Sequence, residues 1–179
     1  MSGKESSFTT SSNVIIKTSR FDQETNKPKS LNVLVAVDFS HCSKLALRKA
    51  KSWAGSQGGK ILALHVIDEN FIKQCIRQHL GTEQEIKKRL FFHSRNKLHK
   101  FLHKEGMEEE DMEMIVCEGI PCIEINKKAV EKDVEMIIMG SKGNSDDMKA
   151  IFFGSTTERV LRFIKRPVLC IPPDGIYKL

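Results

Sequence analysis

The sequence predicts a single-domain α/β fold, an open five-stranded parallel sheet with helices on both faces. Three observations predict it. Five short apolar runs, at 31–37, 61–67, 112–117, 136–139 and 167–171, have the near-continuous character of strands covered on both sides. The segments between them are of crossover length and carry apolar residues at helical spacing, as parallel pairing requires. The chain has 179 residues, 40% of them apolar, enough to close one core and short of two.

Each element follows from local signals. Residues 1–30 are rich in Ser, Thr and Lys and lack apolar periodicity, so they read as a polar extension, flexible or an arm onto a second chain. The first strand, 31–37, ends at Asp38, and Ser40 caps a helix with Cys42, Leu45, Ala46, Ala50, Trp53 and Ala54 on one side. Gly55, Gly58 and Gly59 are expected to end that helix. The second strand, 61–67, leads through a polar turn at 68–70 into a long basic helical region with a break at Gly81. After the third strand, Glu118-Gly119 turns the chain, and Pro121 suits the first turn of a helix carrying Ile125, Ala129 and Val130 inward. The fourth strand runs straight into Gly140. A helix over 155–164 precedes the fifth strand, which Pro172-Pro173 closes. The folded domain is therefore placed at 31–173 and a C-terminal tail at 174–179.

Composition excludes several function classes. Lys and Arg number 29 against 23 Asp and Glu, a net charge of +6, and no stretch approaches the ~18 apolar residues of a membrane span. The apolar run at 14–16 is far below the ~7 residues of a signal-peptide core, which implies a cytoplasmic protein without membrane partners. Five cysteines, none spaced C-x-x-C, read as reduced packing residues. Residues 71–104 hold nine Lys or Arg and two Glu, and the next nine residues hold six acids. Within that block Ile86, Leu90, Leu98, Phe101 and Leu102 recur at helical spacing. A solvated basic helix face is the reading favoured over a nucleic-acid surface.

In open parallel sheets ligands bind beyond the carboxyl ends of the strands, where strand order reverses. The fourth strand ends Gly140-Ser141-Lys142-Gly143, two glycines that let backbone N–H groups approach an anion. Gly154-Ser155-Thr156 opens the next helix, with Ser155 and Glu158 spaced as a capping box. These two lips form a candidate phosphate cradle. The run 55–60 is not a P-loop, because Lys60 stands where its second glycine belongs, and neither G-x-G-x-x-G nor G-x-S-x-G occurs. His99 and His103 read as a solvent-exposed pair, not metal ligands, and His65 as a hydrogen-bonded core residue. Asp38 ends the first strand at the ligand-binding edge, where it either caps the following turn or accepts hydrogen bonds from a base or ribose.

The strand ends Val33-Leu34-Val35-Ala36-Val37-Asp38-Phe39-Ser40, Ala63-Leu64-His65-Val66-Ile67 and Met136-Ile137-Ile138-Met139-Gly140-Ser141-Lys142-Gly143 carry a family resemblance, as do Gly154-Ser155-Thr156-Thr157-Glu158-Arg159-Val160 and the closing Lys165-Arg166-Pro167-Val168-Leu169-Cys170-Ile171. Over roughly 31–172 the sequence resembles the universal stress protein family. Its glycine motif, G-x-x-G followed by Gly-Ser, resembles that of the branch that binds ATP. The resemblance implies an adenine nucleotide alpha hydrolase-like, Rossmann-like fold. It implies ATP as ligand, with AMP or ADP as alternatives and Mg2+ as a companion ion. Asp38, the backbone at Ala36 and Val37, and Val66 would then contact adenine and ribose. Met139, Gly140, Lys142, Gly143, Gly154, Ser155 and Thr156 would line the ribose and phosphates. It further implies a homodimer through 167–171 and a role in stress response or signalling, with no catalytic residue assigned. One departure stands out: ten residues separate Gly143 from Gly154, one more than the family spacing. Asp146 and Asp147 fall among them, acids that would repel phosphates or help hold magnesium. The competing readings are a slow ATPase using Asp146 or Asp147 and a nucleotide-free module whose 71–104 face meets a partner or nucleic acid.

Overall fold

Strand β1 (Val33–Ala36) is the centre of the molecule, and its side chains explain the layers on either side. Residues alternate across a strand. Val33 and Val35, with Val37 just beyond, pack on Ala46, Leu47, Ala50 and Ala54 of helix α1 (His41–Gln57), while Leu34 points the other way. All three β1 residues from Val33 to Val35 are fully buried, each burial contributing ~1.5–3 kcal/mol. The computed structural model describes residues 31–143 and 153–174. The expected extension at 1–30, the acids Asp146 and Asp147, and all of the expected tail except Asp174 lie outside the described residues.

After α1 come β2 (Ile61–Asp68), α2 (Glu69–Arg77), α3 (Glu83–Lys104), β3 (Met112–Gly119), α4 (Pro121–Glu131), β4 (Met136–Gly140), α5 (Ser155–Arg162) and β5 (Val168–Ile171). The described strands form one parallel sheet in the order β3-β2-β1-β4-β5. Leu98 and Leu102 of α3 join α1 on one face, and Ile125 and Ala129 of α4 with Val160 of α5 cover the other. Because every described pairing is parallel, each crossover returns the chain to the same end of the sheet. The carboxyl ends of all five strands therefore share one edge, and the order reverses between β1 and β4.

Several boundaries differ from the sequence reading, each for a visible reason. Helix α1 runs through Gly55 and stops at Gly58, whose φ of 66° lets its N–H return to the Ala54 carbonyl. Gly59 is required by packing, because a side chain there would strike the Leu31 carbonyl. The break at Gly81 is present, and α3 begins with a complete capping box between Thr82 and Glu85. β3 continues two residues past Cys117 in register with the end of β2. On α4 the inward face is Cys122, Ile125, Asn126 and Ala129, and Val130 faces solvent. Helix α5 ends at Arg162, leaving Phe163 and Ile164 exposed.

The charge blocks settle into surface pairs. Glu105, just past α3, accepts from Lys44 at 3.0 Å and Arg48 at 2.7 Å of α1. Burial raises its carboxyl, yet the two cations hold it below the usual range. His99 and His103 are exposed, with stacked rings. All five cysteines are free. Among the described residues no helix is long and apolar enough to cross a membrane.

Candidate functional site

A cavity of about 240 Å³ opens at the carboxyl edge of the sheet, at the switch point between β1 and β4. The structure brings all eleven expected site residues to its walls: Ala36, Val37 and Asp38 after β1, Val66 from β2, Met139, Gly140, Lys142 and Gly143 from the end of β4, and Gly154, Ser155 and Thr156 at the start of α5. Six further residues line it: Ser43, Leu64, His65, Pro121, Ile125 and Thr157. Pro121 and Ile125 could have been found from topology alone, because every crossover helix in such a sheet starts at the edge where its strand ended.

One wall is apolar. Ala36, Leu64, Val66, Ile125 and Met139 belong to a single packed cluster, a surface suited to the faces of a flat ring. The opposite wall is polar, and it is built by the end of β1. Asp38 receives the Ser40 N–H on Oδ1 at 2.9 Å, while Ser40 caps α1 by accepting from the Ser43 N–H at 3.1 Å. The turn-closing reading of Asp38 is the one seen directly, through Oδ1, while Oδ2 lies toward Gly143 at the cavity mouth. A Cβ on Gly143 would come within 2.7 Å of that Oδ2. Asp38 and Gly143 face each other across the mouth.

The three cradle glycines have different surroundings. A Cβ on Gly140 would meet Cys42 Cβ at 2.6 Å and the Cys42 carbonyl carbon at 2.9 Å, so this glycine exists to let α1 lie on the end of β4. Gly143 borders the mouth, and among the described residues only Asp38 lies within 4 Å of where its Cβ would be. At Gly154 a Cβ would make only ordinary contacts, at 3.5 Å or beyond. None of the three has positive φ, unlike Gly58, Gly81, Gly106 and Gly119.

Helix α5 also differs from expectation. Gly154 is its N-cap and Ser155 its first residue, so the expected box between Ser155 and Glu158 does not form; Glu158 pairs with Arg162 instead. Among the described residues no side chain caps this helix, and the positive end of its dipole meets the cavity at Ser155, Thr156 and Thr157. Two bonds fix it there. Gly154 N–H donates to Ser141 O at 2.7 Å, and the buried Thr157 hydroxyl donates to Gly140 O at 2.9 Å. An uncapped helix start beside a lysine, Lys142, is an arrangement that attracts an anion.

His65 sits behind the Asp38 wall. Its Nδ1 is 2.7 Å from the Val37 carbonyl, and since a carbonyl only accepts, that nitrogen carries the proton. Burial pushes the imidazole below its ordinary pKa, and the Val37 bond opposes the shift without reversing it. The ring is therefore neutral near pH 7. Among the described residues no group of three or more His, Cys, Asp or Glu side chains could hold a metal.

Residues 30–172 match the family model described as the universal stress protein family, and the chain belongs to that family. It is 34% identical over 154 residues to Universal stress protein MJ0577 of Methanocaldococcus jannaschii, covering 78% of this chain and 93% of that protein. The solved structure of MJ0577 superimposes with a TM-score of 0.68 at 32% identity, over 80% of this chain and 96% of the other. Two more distant structures share the fold: one from Archaeoglobus fulgidus in complex with dAMP and one in complex with cAMP. The first has 21% identity, a TM-score of 0.50 and covers 79% of this chain and 97% of that one. The second has 18% identity, a TM-score of 0.51 and covers 78% and 94% respectively.

Proposed function

We propose that the cavity binds an adenine nucleotide, ATP first among them, and that the chain is a nucleotide-responsive regulator in stress response or signalling. The observation that supports this best is convergence. Eleven residues scattered from Ala36 to Thr156 line one cavity at the switch point, with an apolar slot on one side and an uncapped helix start on the other. In this reading adenine lies against Val66 and Met139, Asp38 accepts from the ribose end, and phosphate oxygens meet the N–H groups of Gly143 and the first turn of α5. Lys142 supplies the opposing charge. Adenine mononucleotides in two proteins of the same fold are consistent with this chemistry.

The described residues offer no dedicated magnesium site, and Asp146 and Asp147, the acids expected to bear on one, lie outside them. The proposal assigns binding; Asp38 is the only carboxylate among the described lining residues and its Oδ1 is engaged by the Ser40 N–H, so slow hydrolysis through Asp146 or Asp147 stands as the competing reading. The working form is a cytoplasmic homodimer joined through 167–171.

A denatured extract of the purified protein, run against nucleotide standards and followed by calorimetric titration of the stripped protein with ATP, AMP and adenosine, tests the reading. The expected result is an adenine nucleotide in the extract or saturable binding of one on titration, with Lys142→Ala weakening ATP and AMP more than adenosine. Absence of binding by all three, with salt-sensitive retention on nucleic acid, would favour the basic-face alternative.

A further inference from the structure

Phe39, between the two polar groups of the β1 exit, has an unusual backbone. Its φ is 66°, in the left-handed region, where a bulky aromatic residue is an outlier that persists only when its surroundings impose it. Those surroundings are visible. The Phe39 ring lies 4.5 Å from the His65 ring and 5.6 Å from Phe101 of α3, edge to face, with Lys97 Nζ 4.2 Å above it. His65 in turn grips the Val37 carbonyl at 2.7 Å, so the residues on both sides of Asp38 are held from the same side.

A relaxed chain would leave β1 by another path. Moving Phe39 to an ordinary φ would rotate the peptide that follows Asp38 and with it the carboxylate facing Gly143. The strain and the clamp thus bear on one outcome, the place of Oδ2 at the cavity mouth. From this we infer that Phe39 is a positioning residue for the ligand-binding carboxylate of Asp38, locked by His65, Phe101 and Lys97 so that α3 braces the nucleotide site. The inference rests on the proposed nucleotide reading, and it adds that the 71–104 region serves the site mechanically through Lys97 and Phe101.

The test is a double-mutant cycle on the full chain, with AMP as probe and calorimetry as readout. Phe39→Gly removes the ring but accommodates the positive φ, so its backbone is relieved and it folds where Phe39→Ala is at risk. Phe39→Gly is expected to weaken AMP about ten-fold in the parent, the loss of one well-placed hydrogen bond to a charged group. In an Asp38→Ala background the same change is expected to cost nothing further, and Phe39→Tyr, which keeps the ring, to bind as the parent does. A purely structural role would add its loss in full to that of Asp38→Ala. That additivity, or parental affinity in a folded Phe39→Gly protein, overturns the inference while leaving the nucleotide site standing. A parent chain that binds no AMP, ATP or adenosine overturns the nucleotide reading itself, and this inference with it.

Discussion

Gly140 and Gly143 stand three residues apart and serve different ends. At Gly140 an added methyl would meet the fixed backbone of Cys42 and Ser43, so α1 would have to move off the sheet. At Gly143 it would meet, among the described residues, only the end of the Asp38 side chain, which can turn aside. Gly140→Ala should therefore lower unfolding stability by about 1–3 kcal/mol in urea, as overpacking does. Gly143→Ala should stay within about 0.5 kcal/mol of the parent and instead weaken AMP and adenosine together, by displacing Asp38. The glycine spacing was plain in the sequence. Which glycine faces a helix and which faces the ligand was not, because that depends on where α1 crosses the end of β4, a contact between residues about a hundred positions apart. Phe39 was hidden for a related reason: its left-handed backbone is imposed by His65 and Phe101, and nothing in the local sequence announces it.

Among elements, the strands were the most legible, since continuous apolar runs allow little else in a parallel sheet. Helix ends were less so. Ser155 and Glu158 have the spacing of a capping box, yet the chain enters α5 one residue earlier, through Gly154, and the terminus is left for the cavity. The sheet edges carry a further consequence. β3 has charged pairs at both ends, Lys132 with Glu113 at 2.6 Å and Lys87 with Glu118 at 2.9 Å, the kind of edge that resists pairing with another strand. β5 carries Val168, Leu169, Cys170 and Ile171, half-buried and uncharged, at the other edge. A two-fold pairing there covers the open backbone, so the parent should sediment as a dimer and Leu169→Glu as a folded monomer. A Leu169→Glu protein that remains dimeric would place the interface elsewhere.

At the scale of the whole molecule, strand order makes the site. Once β4 pairs with β1 on the side away from β2, the chain ends at 36–38 and 139–143 are adjacent and a crevice opens between them. The fold class and eleven of the cavity's residues could be read from strand ends, glycine motifs and the family resemblance, and topology alone points to Pro121 and Ile125, whereas Ser43 and Thr157 could not be found that way, because each enters from a helix whose placement follows from packing. The most direct measurement is photolabelling of the full chain with an azido-adenine nucleotide, followed by peptide mapping. Label in peptides containing 36–40, 64–66 or 139–143, competed by unlabelled AMP, is the predicted result. Competable label on Lys87, Lys88, Lys127 or Lys128, in the separate groove between α3 and α4, would contradict it.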